Sequence, residues 1–136
     1  MQANPHYDDV VTEVEAFLAA RVQACLQAGI DRQRLCVDPG FGFGKTLAHN
    51  LALLAALPRL CAAGVPVLAG LSRKSMLGQL TGRPVDQRLA ASVAAATAAV
   101  LGGARLIRAH DVAATRDAVE VAWAIASVTA PTVQGS

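Results

Sequence analysis

Apolar residues recur along the chain with helical spacing in five segments, separated by short apolar runs. The first segment, residues 7–28, carries acidic residues near its start, which suits the N-terminus of a helix. Pro58 falls inside the second segment and should break it in two. The spacing predicts helices over residues 7–28, 47–63, 72–80, 85–101 and 112–128.

The short apolar runs predict strands at residues 34–37, 65–69 and 105–108. Strands that alternate with helices are typically parallel and covered by helices on both faces. Two architectures fit, a part of a (β/α)₈ barrel or a small open α/β sheet. A whole barrel needs roughly 250 residues, and three strands are few for an independent sheet.

The composition favours a packed globular chain. Hydrophobic residues make up 54% and charged residues 16% of its 136 residues, which excludes a disordered chain. The net charge of +2 is scattered, without the basic stripe of a nucleic-acid-binding surface. No apolar run reaches the roughly 18 residues of a membrane span, and the polar start at residues 1–9 does not read as a signal peptide.

The three cysteines, Cys25, Cys36 and Cys61, lie far apart and lack the spacing of a zinc site or a redox motif. We interpret them as small buried apolar residues in a reducing cytosol.

Polar residues follow each of the three predicted strands directly: Asp38 after the first, residues 72–74 after the second, and Arg108, His110 and Asp111 after the third. The carboxyl ends of parallel strands form one rim, where ligands bind. We therefore expect these side chains to converge.

The glycine-rich loop at residues 38–46 does not match a nucleotide-binding motif. Pro39 stands where the phosphate-binding loop needs a glycine, and Lys45 stands where the dinucleotide motif needs its third glycine. Phe41 and Phe43 could line the pocket of a flat aromatic ligand. Alternatively, both could fill the core beneath the loop.

Asp38 could accept two hydrogen bonds from an amino-pyrimidine edge, or it could simply stabilise a turn before proline. Ser72 is placed to cap the helix that follows. Lys74 could donate to a ligand or neutralise an anion, or it could be a solvated residue of the first turn. Cations at a helix start oppose the helix dipole, so an anionic or acceptor-rich ligand would explain them.

Arg108 and His110 alternate along the last strand and should point to the same side. A helix begins just after them, with Asp111 as its expected N-cap. Arginine, histidine and a helix N-terminus together suit phosphate or pyrophosphate. The alternative is that Arg108 pairs with Asp111.

Three motifs of this chain resemble the C-terminal signatures of dihydropteroate synthases: Asp-Pro-Gly-Phe-Gly-Phe-Gly-Lys at 38–45, Gly-Leu-Ser-Arg-Lys-Ser-Met at 70–76, and Ile-Arg-Ala-His-Asp at 107–111. Their order and separation also match, and the resemblance runs from about Tyr7 to about Val121. It implies that residues 1–136 form the C-terminal portion of a (β/α)₈ barrel, namely its last three strand–helix units and the preceding helix.

The resemblance also implies a reaction, in which a dihydropterin pyrophosphate condenses with para-aminobenzoate and releases pyrophosphate. The pterin C–O bond would break first, and the aminobenzoate nitrogen would attack the resulting cation, with Lys74 and Arg108 as the catalytic residues. Magnesium would accompany pyrophosphate, bound by a ligand outside this chain. The implied binding residues are Asp38, Gly70 and Lys74 for the pterin, Phe43, Lys74 and Ser75 for the aminobenzoate, and Arg108 and His110 for pyrophosphate.

The resemblance covers only part of a barrel, so we expect a fragment with exposed sheet edges and little or no activity alone. The family is usually a cytoplasmic homodimer, which makes residues 90–100 and 112–125 candidate contacts. A non-catalytic pterin- or phosphate-binding half-barrel is the main alternative. A pterin-dependent methyltransferase is a third, which the Ser-Arg-Lys-Ser motif and the Arg-x-His pair disfavour.

Overall fold

The computed structural model describes residues 6–129; residues 1–5 of the polar start lie outside the described part. Short 3₁₀ turns at Arg32–Arg34 and Val85–Gln87 connect the main elements. The helices and strands are α1 (Val10–Gln27), α2 (Leu47–Ala55), α3 (Leu57–Cys61), β1 (Leu68–Gly70), α4 (Ser75–Thr81), α5 (Leu89–Leu101), β2 (Leu106–Arg108) and α6 (Val112–Thr129).

The predicted helices are present, with corrected boundaries. Helix α1 begins at Val10 rather than Tyr7, because the Asp9 carboxylate accepts the Thr12 N–H and the Glu13 carboxylate accepts the Asp9 N–H. The predicted break at Pro58 is confirmed, since α2 ends and α3 restarts with that proline in its first turn.

The first predicted strand, residues 34–37, is wrong as a strand. It contains a single parallel bridge, in which the Val37 N–H donates to Pro66 and the Val37 carbonyl accepts the Leu68 N–H. The ladder cannot continue in either direction, because the next donors would be Pro66 and Pro39, and proline has no N–H. Within the described residues, the sheet proper has two strands.

Strands β1 and β2 are parallel, and their register fixes the site. Leu68 pairs with Leu106 and Gly70 pairs with Arg108. The Val67 carbonyl accepts the N–H of Arg105, which aligns the strands before the ladder begins. Both strands therefore end at the same level, as expected for the rim of an α/β sheet.

The core lies beneath this rim, between β1 and the helices around it. Val67, just before β1, is completely buried, and so are Ala69 of β1 and Ala99 of α5. The alanines of α5 permit close packing against α6, to which it makes its main contacts. The largest fully buried side chains are Phe41, Leu53, Leu57, Val67 and Met76.

The other side of β2 is open. A groove of about 720 Å³ runs between β2 and α6, and its lining includes Ile107, Val112 and Trp123. Trp123 is 50% exposed, and its ring centroid lies 5.3 Å from the guanidinium carbon of Arg105. No helix within residues 6–129 is long and apolar enough to cross a membrane.

The cysteines are less buried than expected. Cys36 is exposed, whereas Cys25 and Cys61 are half-buried and all three are free. Burial raises the pKa of the Cys61 thiol.

Candidate ligand-binding site at the strand ends

Four of the residues predicted to converge do line one cavity, namely Ser72, Lys74, Arg108 and His110. It measures about 280 Å³ and opens at the carboxyl ends of β1 and β2. Its position follows from the register, because Gly70 and Arg108 are paired and the residues that come next leave the sheet together. The lining residues are Gly70, Ser72, Lys74, Arg108, Ala109 and His110.

Asp38 reaches this rim from the loop after the Val37 bridge. One carboxylate oxygen accepts the Gly40 N–H at 2.8 Å, so the turn-stabilising interpretation of Asp38 is correct. The other oxygen lies 3.3 Å from Nη2 of Arg108. Asp38 therefore stabilises its turn and also faces the cavity arginine.

The glycine-rich loop separates its two phenylalanines. Phe41 is 1% exposed and belongs to the core, whereas Phe43 is 60% exposed. The Gly42 N–H donates to the side-chain oxygen of buried Asn50 at 2.9 Å, and Lys45 donates to the carbonyls of Gly40 and Phe43. Its own side-chain contacts thus hold the loop in shape.

Lys74 joins this loop to the end of β1. Its ammonium donates to the Phe41 carbonyl at 2.5 Å and lies 4.4 Å from the Phe43 ring centroid. Gly42, at φ +85°, lets the lysine stem pass close to the backbone. Burial lowers the pKa of Lys74, and nearby Arg108 lowers it further, while the Asp38 carboxylate acts in the opposite direction.

The expectation that Ser72 caps the next helix is wrong. Helix α4 begins at Ser75, its N-cap is Lys74, and no side chain caps it. The delay arises at Arg73, whose φ of +58° is left-handed and incompatible with a helix. The Ser72 hydroxyl instead accepts the His110 N–H at 3.1 Å and lies 2.8 Å from Nδ1 of the same residue.

Arg108 does not pair with Asp111, the alternative that its position allowed. Asp111 forms an ion pair at 3.0 Å with Arg73, and its carbonyl accepts the Thr115 N–H at the start of α6. Arg108 instead lies across Gly70, where a Cβ would stand 2.5 Å from the guanidinium. The absence of a side chain at Gly70 therefore makes room for Arg108.

Ser75 is placed differently from the other candidates. It is the first residue of α4, it is exposed, and it stands outside the set that lines the cavity. Phe43 also stands outside that set, but it contacts Lys74 directly.

Four supporting residues escaped the sequence reasoning: Lys45, Asn50, Arg88 and Ser92. Asn50 and Ser92 had a detectable signal, since each is a polar residue on the apolar face of a helix and both are more than 95% buried. Lys45 and Arg88 had no such sequence signal, because they bind backbone carbonyls, which every residue carries.

No group of three or more His, Cys, Asp or Glu side chains within residues 6–129 is arranged to hold a metal ion.

Fold and site together define a class of protein: an α/β chain of parallel strand–helix units whose strand ends carry a carboxylate, an ammonium and an arginine–histidine pair for a small ligand. Residues 1–110 match the family described as pterin binding enzyme. The chain belongs to this family of pterin-binding enzymes.

Comparison with individual proteins shows which enzymes the chain is similar to. Dihydropteroate synthase of Haemophilus influenzae is 54% identical over 127 residues, which cover 93% of this chain and 46% of that protein. The crystal structure of dihydropteroate synthase from Stenotrophomonas maltophilia superposes with a TM-score of 0.89 at 56% identity, over 97% of this chain and 49% of the other.

A third likeness is to dihydropteroate synthase from Xanthomonas albilineans, solved with 7,8-dihydropteroate. The TM-score is 0.86 at 59% identity, over 93% of this chain and 48% of that structure. The same enzyme has been solved with 4-aminobenzoic acid. The chain spans about half the length of the relatives it matches, and it shares the α/β fold of the part that it covers.

Proposed function

We propose that this chain forms the second half of a dihydropteroate synthase, which condenses dihydropterin pyrophosphate with para-aminobenzoate and releases pyrophosphate. The observation that carries the proposal is the common cavity, at which Lys74 and Arg108 meet while Asp38 contacts Arg108 directly. Relatives named dihydropteroate synthase that are 46–55% identical support it. On this proposal, residues 1–136 are the last three strand–helix units and the preceding helix.

Asp38 would bind the amino-pyrimidine edge of the pterin. Its carboxylate already accepts the Gly40 N–H with one oxygen, so the oxygen that now faces Arg108 is the one that a ligand would take over. Gly70 would let the pterin ring lie close to the backbone once Arg108 moves from it. Lys74 would donate to the pterin from the other side.

The aminobenzoate would lie near Phe43 and Lys74, where the lysine ammonium lies over the aromatic ring, 4.4 Å from its centroid. Ser75 would contribute from the exposed start of α4. The complex of the Xanthomonas albilineans enzyme with 4-aminobenzoic acid supports a site for this substrate in the family.

Arg108 and His110 would bind the pyrophosphate. As the C–O bond breaks, the electron pair leaves with the pyrophosphate, and the guanidinium and the His110 ring would stabilise that charge. Ser72 fixes the ring through Nδ1, which leaves Nε2 for the leaving group. The amine nitrogen then forms the new C–N bond and releases its proton.

Magnesium, expected with pyrophosphate, would need ligands from beyond the residues described here, and no step above depends on it. A cytoplasmic location is also part of the proposal, which the free cysteines favour. So is a homodimer through residues 90–100 and 112–125, favoured by the exposed apolar residues of α6.

The deciding experiment supplies the missing half. The N-terminal portion of the Haemophilus influenzae relative is mixed with this chain, and dihydropteroate formation is measured. We expect product from the mixture and little or none from either part alone. Arg108→Ala should abolish it, whereas Arg21→Ala, a matched control on the exposed surface of α1, should not. A non-catalytic half-barrel would yield no product even when the two parts form a stable complex.

A further inference from the structure

Arg73 adopts an uncommon backbone conformation immediately before a site residue. Its φ of +58° makes it the one non-glycine residue with positive φ within residues 6–129. Side chains other than glycine rarely adopt this conformation unless their surroundings impose it. The contacts that impose it are therefore of interest for Lys74, which comes next.

Three contacts from other elements hold Arg73. Its N–H donates to the hydroxyl of Ser92, which is 4% exposed, at 2.9 Å. Its carbonyl accepts from Nη1 of Arg88 at 2.9 Å. Its guanidinium binds the two carboxylate oxygens of Asp111 at 3.0 and 3.4 Å. Backbone donor, backbone acceptor and side chain are all satisfied in the left-handed conformation.

Contacts with Arg83 and Gly78 fix the position of the Arg88 side chain. It precedes α5, and its Nε donates to the Arg83 carbonyl at 3.0 Å. Its guanidinium lies against Gly78 of α4, where an added Cβ would overlap it. The bare backbone at Gly78 is what allows Arg88 to reach the Arg73 carbonyl.

Rotation of Arg73 into the right-handed region would change the direction in which the chain enters α4. Lys74 would then leave the Phe41 carbonyl and the Phe43 ring, its two contacts on the glycine-rich loop. We propose that Arg88, seated on Gly78, is a positioning residue that holds the Arg73 backbone and thereby keeps the Lys74 ammonium at the cavity it shares with Arg108. The inference rests on the proposed function only in assigning Lys74 a ligand.

The chain offers a direct readout, because Lys45 and Lys74 are its only lysines. The ε-methylene protons of Lys74 lie close to the Phe43 ring and experience its ring current. The chain is labelled with ¹³C-lysine, and the Phe43→Ala variant serves as the reference. The change that it causes in the Lys74 ε-methylene chemical shift is the change expected when the contact with the ring is lost. Lys45, which is bound to Gly40 and Phe43 carbonyls, reports on the loop independently.

We expect Arg88→Gln to move the Lys74 signal by at least half of the Phe43→Ala displacement, while the Lys45 signal stays in place. Arg83→Gln, the same charge change on the same loop, should move neither. Gly78→Ala should reproduce the Arg88→Gln shift, and the double variant should add little to it. A smaller Lys74 displacement, or an equal movement of the Lys45 signal, overturns the proposal.

If one of the variants Arg88→Gln and Gly78→Ala loses the dispersed spectrum of a folded chain, the displacement of the Lys74 signal is judged in the other. Inorganic pyrophosphate, titrated into the same samples, separates this inference from the proposed function. Because Lys74 adds a positive charge to the cavity that it shares with Arg108 and His110, we expect Arg88→Gln to weaken pyrophosphate binding by about threefold or more. Arg83→Gln should stay close to wild type. A wild-type chain that fails to bind pyrophosphate, while Arg88→Gln still displaces Lys74, supports the positioning role and counts against the function.

Discussion

The carboxylate of Asp38 lies 3.3 Å from the guanidinium of Arg108, although 70 residues separate them in the chain. The pair joins the loop after the Val37 bridge to the end of β2 across the width of the site. Both side chains are partly exposed, so the contact adds at most about 1 kcal/mol to stability. Its importance lies in placing a carboxylate and a cation where one ligand can reach both.

Asp38→Asn should therefore weaken the binding of pterin while leaving the fold intact. The amide oxygen can still accept the Gly40 N–H, but the charged acceptor is lost, and we expect about tenfold weaker binding by calorimetry. Asp31→Asn is a matched control, because Asp31 also accepts a local N–H in a turn, that of Gln33. Unchanged affinity in Asp38→Asn would contradict the pterin role.

The two phenylalanines of the loop should behave in opposite ways. Phe41→Ala removes a fully buried ring and should lower the free energy of unfolding by about 3–5 kcal/mol in urea titrations. Phe43→Ala removes an exposed ring and should change it by less than about 0.5 kcal/mol. Equal losses in the two variants would mean that the loop does not separate core from site.

The ion pair between Glu15 and Arg59, at 2.8 Å, gives a pH dependence. The hydrogen bond from Arg59 lowers the pKa of Glu15 below its usual 4.5. Between the folded-state and unfolded-state pKa of Glu15, the unfolded chain binds more protons than the folded chain. The stabilisation is therefore complete above pH 4.5 and is lost as the pH falls through the lower folded-state pKa.

Glu15→Gln should accordingly be less stable than wild type at pH 7, and the difference should shrink in acid. Urea titrations from pH 7 to pH 3 measure it. Asp117→Asn, the same charge change on exposed α6, is the comparison variant. If the stability difference between Glu15→Gln and wild type is as large at pH 3 as at pH 7, the charge of Glu15 is not its cause.

Gly70→Ala should act through Arg108. The new methyl group would occupy the space of the guanidinium, so Arg108 would leave Asp38, and affinity for pyrophosphate should fall by about tenfold. In the Arg108→Ala background the same change should cost little, because the two effects share one cause. Additive losses, measured by calorimetry in a double-mutant cycle, would show that Gly70 acts separately.

The exposed residues Val121, Ile125 and Val128 share one face of α6, which bears on the proposed homodimer. Ile125→Asp should shift the chain toward monomer in sedimentation experiments, since it places a charge within that face. Ser127→Asp adds the same charge on another face and should not. A wild-type chain that stays monomeric at high concentration would remove this face as a contact.

The helices and the convergence of Asp38, Lys74 and Arg108 could be predicted, because alternating periodicities imply parallel strands with a common rim. The first strand could not, because its failure depends on which N–H groups face each other. Pro39 and Pro66 remove donors at ladder positions that are visible only once the strands are in register.

The partner of each charged side chain was also beyond the sequence. Arg108 had Asp111 close by in sequence, yet it pairs with Asp38, while Asp111 pairs with Arg73. Arg73 makes its pair from a left-handed conformation that the sequence does not predict, since an arginine has no intrinsic preference for positive φ. Local spacing in the sequence located the site but did not determine which charged side chains pair with each other.

Trp123 is the sole tryptophan of the chain, and it stands half-exposed beside Arg105 on the groove between β2 and α6. Its intrinsic fluorescence will consequently report when another polypeptide covers that groove. An emission shift on mixing with the complementary half would mark assembly of the two pieces before any substrate is added.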